Sequence, residues 1–199
     1  MPVVMASTRP DWEQRLSDLW TSIDDHSEVE FVAAIEALAA ELPVNSAVAA
    51  FERASSLDST GQSDVEVPLY RQALAFGLEG IRRRRAVIQM ASSLRNIGQA
   101  TESVTLLTAE QNEASDELDD AVAATLALAL VDTGREREAV SVALTALSSH
   151  MTRYRRSMAN YAKLLIKHDN RPITPTATPS ASTQPAPAPS GRRHDSQTP

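Results

Sequence analysis

LRNIGQATESVTLL, residues 94–107, sets a glycine between two apolar helical patterns. Closely related spelling surrounds Gly61 in LDSTGQSDVEVPLY (57–70) and Gly134 in LVDTGREREAVSVA (130–143). The three glycines are spaced 37 and 36 residues apart. Alanine stands seven residues before each (Ala54, Ala91, Ala127) and leucine four before (Leu57, Leu94, Leu130). Valine stands six after (Val67, Val104, Val140), and Leu69, Leu106 or Val142 eight after. A period between about 20 and 50 residues marks stacked units, none of which can bury its apolar face alone.

Within each unit the periodicity is helical. Val87, Met90, Ala91 and Leu94 fall at i, i+3, i+4 and i+7, the spacing of one helix face. Each glycine suits the left-handed conformation that ends a helix, which a β-branched residue would resist. Ser63 and Glu66 spell a capping box for the following helix, and Ser115, before Asp116 and Glu117, reads as a further N-cap. Pro68 is expected to shorten or tilt the start of its helix, because it has no amide hydrogen to donate.

The totals agree with packed helices. The 199-residue chain is 42% hydrophobic but only 4% aromatic, so alanine and leucine must carry the burial, unlike a β-sandwich rich in β-branched and aromatic residues. It has no cysteine, which excludes disulfides, thiolate metal sites and cysteine nucleophiles. No run approaches the roughly 18 apolar residues of a membrane span. The opening MPVVMASTRPDW lacks a basic region followed by a sustained apolar core, so no secretory leader is expected and a cytoplasmic location is. Composition changes near Asn170. Arg171 to Pro199 holds seven of the 11 prolines and almost no large apolar residue, the signature of a disordered tail with polyproline-II character. Three arginines and Asp195 give that stretch a net +2, so the remainder carries -7 - 2 = -9. The expected organisation is a flexible 1–10, a helical repeat domain over 11–168 and a disordered Pro/Ser/Thr/Ala-rich tail over 169–199.

The unit resembles the tetratricopeptide repeat, a helix-turn-helix of about 34 residues. That family sets a small residue and then a bulky one before the turn glycine, and alanine, an aromatic and alanine after it. Ala54, Leu57, Gly61, Glu66, Tyr70 and Ala73 follow this pattern except at Glu66. Ala91, Leu94, Gly98, Ser103, Leu107 and Glu110 depart at Glu110, and Ala127, Leu130, Gly134, Ala139, Ala143 and Ala146 carry Ala143 in the aromatic place. A weaker copy precedes them: Trp12, Leu16, Leu19, Trp20 and Ile23 form one amphipathic pattern and Phe31, Ile35, Leu38 and Leu42 another, with His26 in the glycine's place. Tyr154, Met158, Tyr161 and Leu165 predict one more helix as a cap. Within the family the chain is similar to bacterial members through FERASSLDSTG and GIRRRRAVIQMASSLRNIGQ. The resemblance implies an all-α fold, a right-handed αα superhelix of about four helix pairs plus a C-terminal capping helix.

It also implies a non-catalytic scaffold that binds a peptide or partner protein in a concave groove; the alternative is a regulatory sensor for a signalling peptide or the transcription machinery. With the glycine as phase marker, the groove positions implied are Phe51, Ser55, Asp58, Arg85, Ile88, Ser92, Arg95, Asn96, Leu128 and Asp132. Arg85, Ser92, Arg95 and Asn96 would supply donors to an acidic or carbonyl-rich segment. Arg83, about 160° around the helix from Arg85 at about 100° per residue, should matter much less. Arg82 to Arg85 as a whole reads as a solvated helix start pairing with nearby acids. Four consecutive residues cannot share one helix face, and the -9 body opposes a polyanion, so nucleic acid is not an expected partner. His26, His150, His168 and His194 lack metal-ligand spacing. No GxSxG, Walker or GxGxxG motif occurs, so neither an enzyme nor a cofactor is expected.

Overall fold

The computed structural model describes residues 9–167 apart from Gln62 and Ala114. Of the expected flexible start (1–10), residues 1–8 lie outside the described residues and Pro10 already belongs to the first helix; the proline-rich tail (169–199), His168 and His194 also lie outside them. Among the described residues there are nine α-helices, one short 3-10 turn and no strand. They run α1 (Pro10–Thr21), α2 (Glu28–Ala39), α3 (Ala47–Asp58), α4 (Ser63–Ala75), α5 (Gly80–Asn96), α6 (Ala100–Glu110), α7 (Asp119–Asp132), α8 (Glu136–His150) and α9 (Arg155–Lys167). Four hairpins, α1–α2 to α7–α8, are followed by α9. Each helix packs on its sequence neighbours, and α5 also touches α3 and α7. The fold is the all-α repeat solenoid implied by the resemblance.

Local chemistry sets the boundaries. α1 opens with Pro10 in its first turn, where a missing N–H costs nothing. In α2 the Ser27 hydroxyl accepts from the Glu30 amide, and the Glu30 carboxylate accepts from the Ser27 amide at 3.0 Å, so two end donors are satisfied reciprocally. Gly98 has φ +79°; its amide donates to the Arg95 carbonyl, and the Gln99 amide reaches back to the Leu94 carbonyl at 2.7 Å. Gly134, Arg135 and Leu130 repeat this geometry. It satisfies the last carbonyls of the helix and turns the chain sharply.

Two local expectations are corrected. α4 begins at Ser63 and runs through Pro68, so the proline does not shorten it; only the bond to the exposed Asp64 carbonyl is lost. The expected capping box falls on Ser63, whose side chain lies outside what the structure describes; the Glu66 carboxylate is buried and accepts from the Ser93 hydroxyl. Ser115 does not cap α7, which starts at Asp119 after Leu118. Instead its hydroxyl donates to Asp119, and Asp116 accepts from the Leu118 amide at 2.7 Å.

The apolar core is strung out along the array. Trp12, Leu16, Phe31 and Ile35 fill the first hairpin. Phe51, Ala54, Tyr70, Met90 and Leu94 join the second and third units, and Ala91, Leu107, Val122 and Leu126 join the third and fourth. α5 therefore serves two cores, Met90 and Leu94 in one and Ala91 in the other, as stacking requires. The capping helix packs differently from its expected pattern. Ala162 is fully buried on α8, where its carbonyl accepts from the buried Ser141 hydroxyl at 2.8 Å. Tyr154 and Tyr161 are 75% and 61% exposed, because the buried face of α9 is centred one position beyond Tyr161.

Candidate concave face and its interior supports

The expected groove residues divide by depth. Phe51 and Ser55 are fully buried, so neither side chain can meet a partner. Phe51 lies beneath Arg85, whose guanidinium carbon stands 5.3 Å from the ring centroid. Asp58 is half-buried and accepts from the Tyr70 hydroxyl at 3.2 Å. Arg85, Asn96, Leu128 and Asp132 are exposed, and Ile88, Ser92 and Arg95 are half-buried. Arg95 donates to Asp132 at 2.6 Å, so two expected site residues from adjacent units pair with each other. Leu128 lies one turn from Asp132 on the same face of α7, and Ile88 lies one turn from Arg85 on α5. The accessible surface thus combines apolar Ile88 and Leu128 with charged Arg85, Arg95 and Asp132.

Beneath it lies a buried polar chain between the second and third units. Tyr70 reaches Ser55 and Asp58, Ser55 donates to Gln89 at 3.4 Å, and Ser93 donates to Glu66. Burial raises the Asp58 carboxyl above its ordinary value, opposed by hydrogen bonds with Tyr70 and Glu66. Burial likewise pushes the Tyr70 hydroxyl up, with the Asp58 charge adding to it. A hydroxyl kept neutral here stays a donor, which the neighbouring carboxylates need.

The arginine run is not a solvated helix start. Arg82 bridges Glu13 of α1, at 2.6 Å, and Glu52 of α3, at 3.0 Å. Glu52 is buried and also accepts from the Trp20 indole at 3.0 Å. Desolvation raises its carboxyl, and Arg82 and the indole oppose that rise. Arg83 donates twice to the buried Glu110 at 2.7 Å. Arg84, only 5% exposed, joins Glu110, Asp116 and Asp119 across two units. The pairing with nearby acids is as expected, but Arg82 and Arg84 also lock one unit to another, whereas Arg83 pairs within its own hairpin. Arg83 is consequently no neutral reference for Arg85, since removing it strips a buried carboxylate of two donors.

Sequence reasoning missed these supports although a signal was present. Glu66 and Glu110 are two of the positions at which the repeat pattern failed. A carboxylate in the place of a small or apolar packing residue must be paired if it is buried, and both are. The third departure, Ala143, is exposed. On the same helix, Val142 and Ala146 line an open cavity of about 260 Å³, together with Arg84, Asp119 and Asp120. Its acids are already engaged, Asp119 by Arg84 and Asp120 by His150 at 2.7 Å. Among the described residues no group of three or more acids and histidines is placed to hold a metal ion. No described helix is long and apolar enough to cross a membrane.

The tetratrico peptide repeat family model matches residues 47–165, well over half of the chain. The chain belongs to the tetratricopeptide repeat family. Neither a curated protein nor a solved structure matches it significantly. Tetratricopeptide repeats are in general non-catalytic protein-binding scaffolds. In this tetratricopeptide protein the matched region begins at α3, and the α1–α2 hairpin lies upstream of it. The hairpin is tied to that region by the Arg82 bridge and by the bond from Arg53 to Glu36 at 2.6 Å.

Proposed function

We propose that the chain is a protein-binding adaptor that holds an extended segment of a partner along its concave face. The observation that supports this is the half-exposed Leu128, 53% accessible, beside the Arg95–Asp132 pair and across from Ile88 and Arg85. Accessible apolar residues combined with charged ones suit a segment carrying one apolar anchor flanked by an acidic group. The apolar anchor contributes affinity, and the charges fix register and orientation. Ser92 and Asn96 add polar groups that can meet a backbone in the groove. The mechanism needs no covalent chemistry, only recognition.

The test starts from a pull-down with the full chain, followed by titration of the recovered partner. Leu128→Ser and Arg95→Ala should each weaken binding about tenfold, the scale of one charge-assisted or well-buried contact. Thr105→Ala, an exposed change on the outer helix α6, should have no effect. Equal affinity in all four proteins would move the site off the concave face.

A further inference from the structure

A repeat array normally ends in a unit whose outer face is polar, because no further unit covers it. α9 does not follow that rule. It packs on α8 through Ala162, Met158 and Leu165, yet Tyr161, Leu164 and Ile166 remain 61%, 43% and 46% exposed. Tyr161 and Leu164, three apart, share one flank, and Tyr154 just before the helix is 75% exposed. The same segment is strongly basic: residues 151–167 contain Arg153, Arg155, Arg156, Lys163 and Lys167 and no acid.

The opposite end has the complementary character. Residues 10–42 hold nine acids (at 11, 13, 18, 24, 25, 28, 30, 36 and 41) against Arg15 alone, a net of -8. Several of these are engaged internally, but Asp24, Asp25 and Glu28 form no ion pair with a described residue. They surround the start of α2, where Val29 is 79% exposed. Ala33, Ala37 and Ala40 continue that exposed face. The first hairpin therefore exposes an apolar strip beside acids that form no ion pair, and the last described helix exposes an apolar strip beside bases.

We propose that the open face of α9 docks on the acidic first hairpin of a second copy of this chain, so that copies associate head to tail. Tyr161 and Leu164 meet the Val29–Ala33 face, and the basic residues of α9 meet Asp24, Asp25 and Glu28. Such a contact is heterologous: each copy offers one donor end and one acceptor end, and growth continues unless the rotation closes a ring. The arrangement is independent of the concave face, which stays open along the assembled array.

The experiment is sedimentation of the full chain from about 5 to about 200 µM, the range that populates a contact of micromolar Kd. Average mass should rise with concentration, and the association should weaken at least about tenfold between about 50 and 500 mM salt, as screening of opposed charges requires. Tyr161→Glu blocks one end and Val29→Arg the other; each alone should remain monomeric. Mixed in equal amounts they should form a 1:1 dimer and nothing larger, because each retains the end the other lacks. Leu164→Glu and Ala33→Arg repeat the test at neighbouring exposed positions, with helical content checked by circular dichroism. A wild-type monomer at every concentration would overturn the proposal, leaving the α9 face to a different protein. A dimer that Tyr161→Glu abolishes and Val29→Arg does not would also overturn it, since the contact would then be symmetric between two α9 helices.

Discussion

Four adjacent arginines carry the same charge, yet each does a different thing because a helix turns them toward different neighbours. Arg84 is buried among Glu110, Asp116 and Asp119, while Arg85 is exposed over Phe51. Arg84→Ala should therefore destabilise by about 1–3 kcal/mol, because it breaks the bridges to Asp116 and Asp119 and leaves Glu110 with Arg83 alone. Arg85→Ala should lose about 1 kcal/mol or less, the value of an exposed cation–aromatic contact. Urea midpoints of the two variants measure the difference, and equal shifts would mean burial of Arg84 has no energetic weight. Asp58 makes a second residue-scale case, with the opposite sign from a surface carboxylate. Its folded carboxyl is raised above the ordinary 3.8 by burial, so its contribution is fully present below 3.8 and is lost as pH rises through the folded value. Asp58→Asn keeps an acceptor for Tyr70 without a buried charge. It should stabilise the fold at pH 7, and the gain should vanish once acid has protonated the parent carboxyl. Denaturant curves at both pH values would show it.

At the scale of one element, α5 holds the array together. Ala86, Met90 and Leu94 face the second unit, and Ala91 faces the fourth. Helices can approach to about 8–10 Å only where the side chain between them is small. Ala91 has no exposed surface, and alanine recurs at its offset in Ala54 and Ala127. Ala91→Leu should therefore overpack the stack and cost about 1–3 kcal/mol, read as a lower thermal midpoint. An unchanged midpoint would mean the neighbouring helix is free to move away. The glycine at the end of the same helix explains why the period could be read so early: a left-handed turn tolerates few other residues, so it leaves the same letter in the second, third and fourth units.

Across the whole molecule, stability is a chain of nearest-neighbour contacts, and one pair reaches beyond the neighbour. Glu13 of α1 and Arg82 of α5 are separated by 69 residues in sequence, and they clip the first hairpin to the third unit. Glu13→Ala should raise amide exchange in α1 and α2 while leaving α5 to α8 as protected as before, since local opening follows the contacts of each unit. Uniform loss of protection would indicate that the array unfolds as one body. The same contact logic separates the ends from the middle. Interior units are covered on both sides, whereas α9 and the α1–α2 hairpin each keep one face open.

The helical period, the three glycine turns, the number of hairpins and the small alanines between helices were all legible in the sequence. Each depends on residues a few positions apart or on a letter repeated at a fixed interval. The candidate groove was legible only in outline: Arg85 and Leu128 are exposed and Ile88 half-buried, but Phe51 and Ser55 lie beneath the surface. Depth depends on what the next unit lays over a side chain, and periodicity within one helix does not contain that. The partners of Glu66, Glu110 and the arginine run were decided by tertiary structure alone. Their pairing joins residues 26 to 69 positions apart, across faces that meet only when the helices pack. A buried carboxylate appears in the sequence as a misfit; the fold turns it into a support by bringing a donor to it.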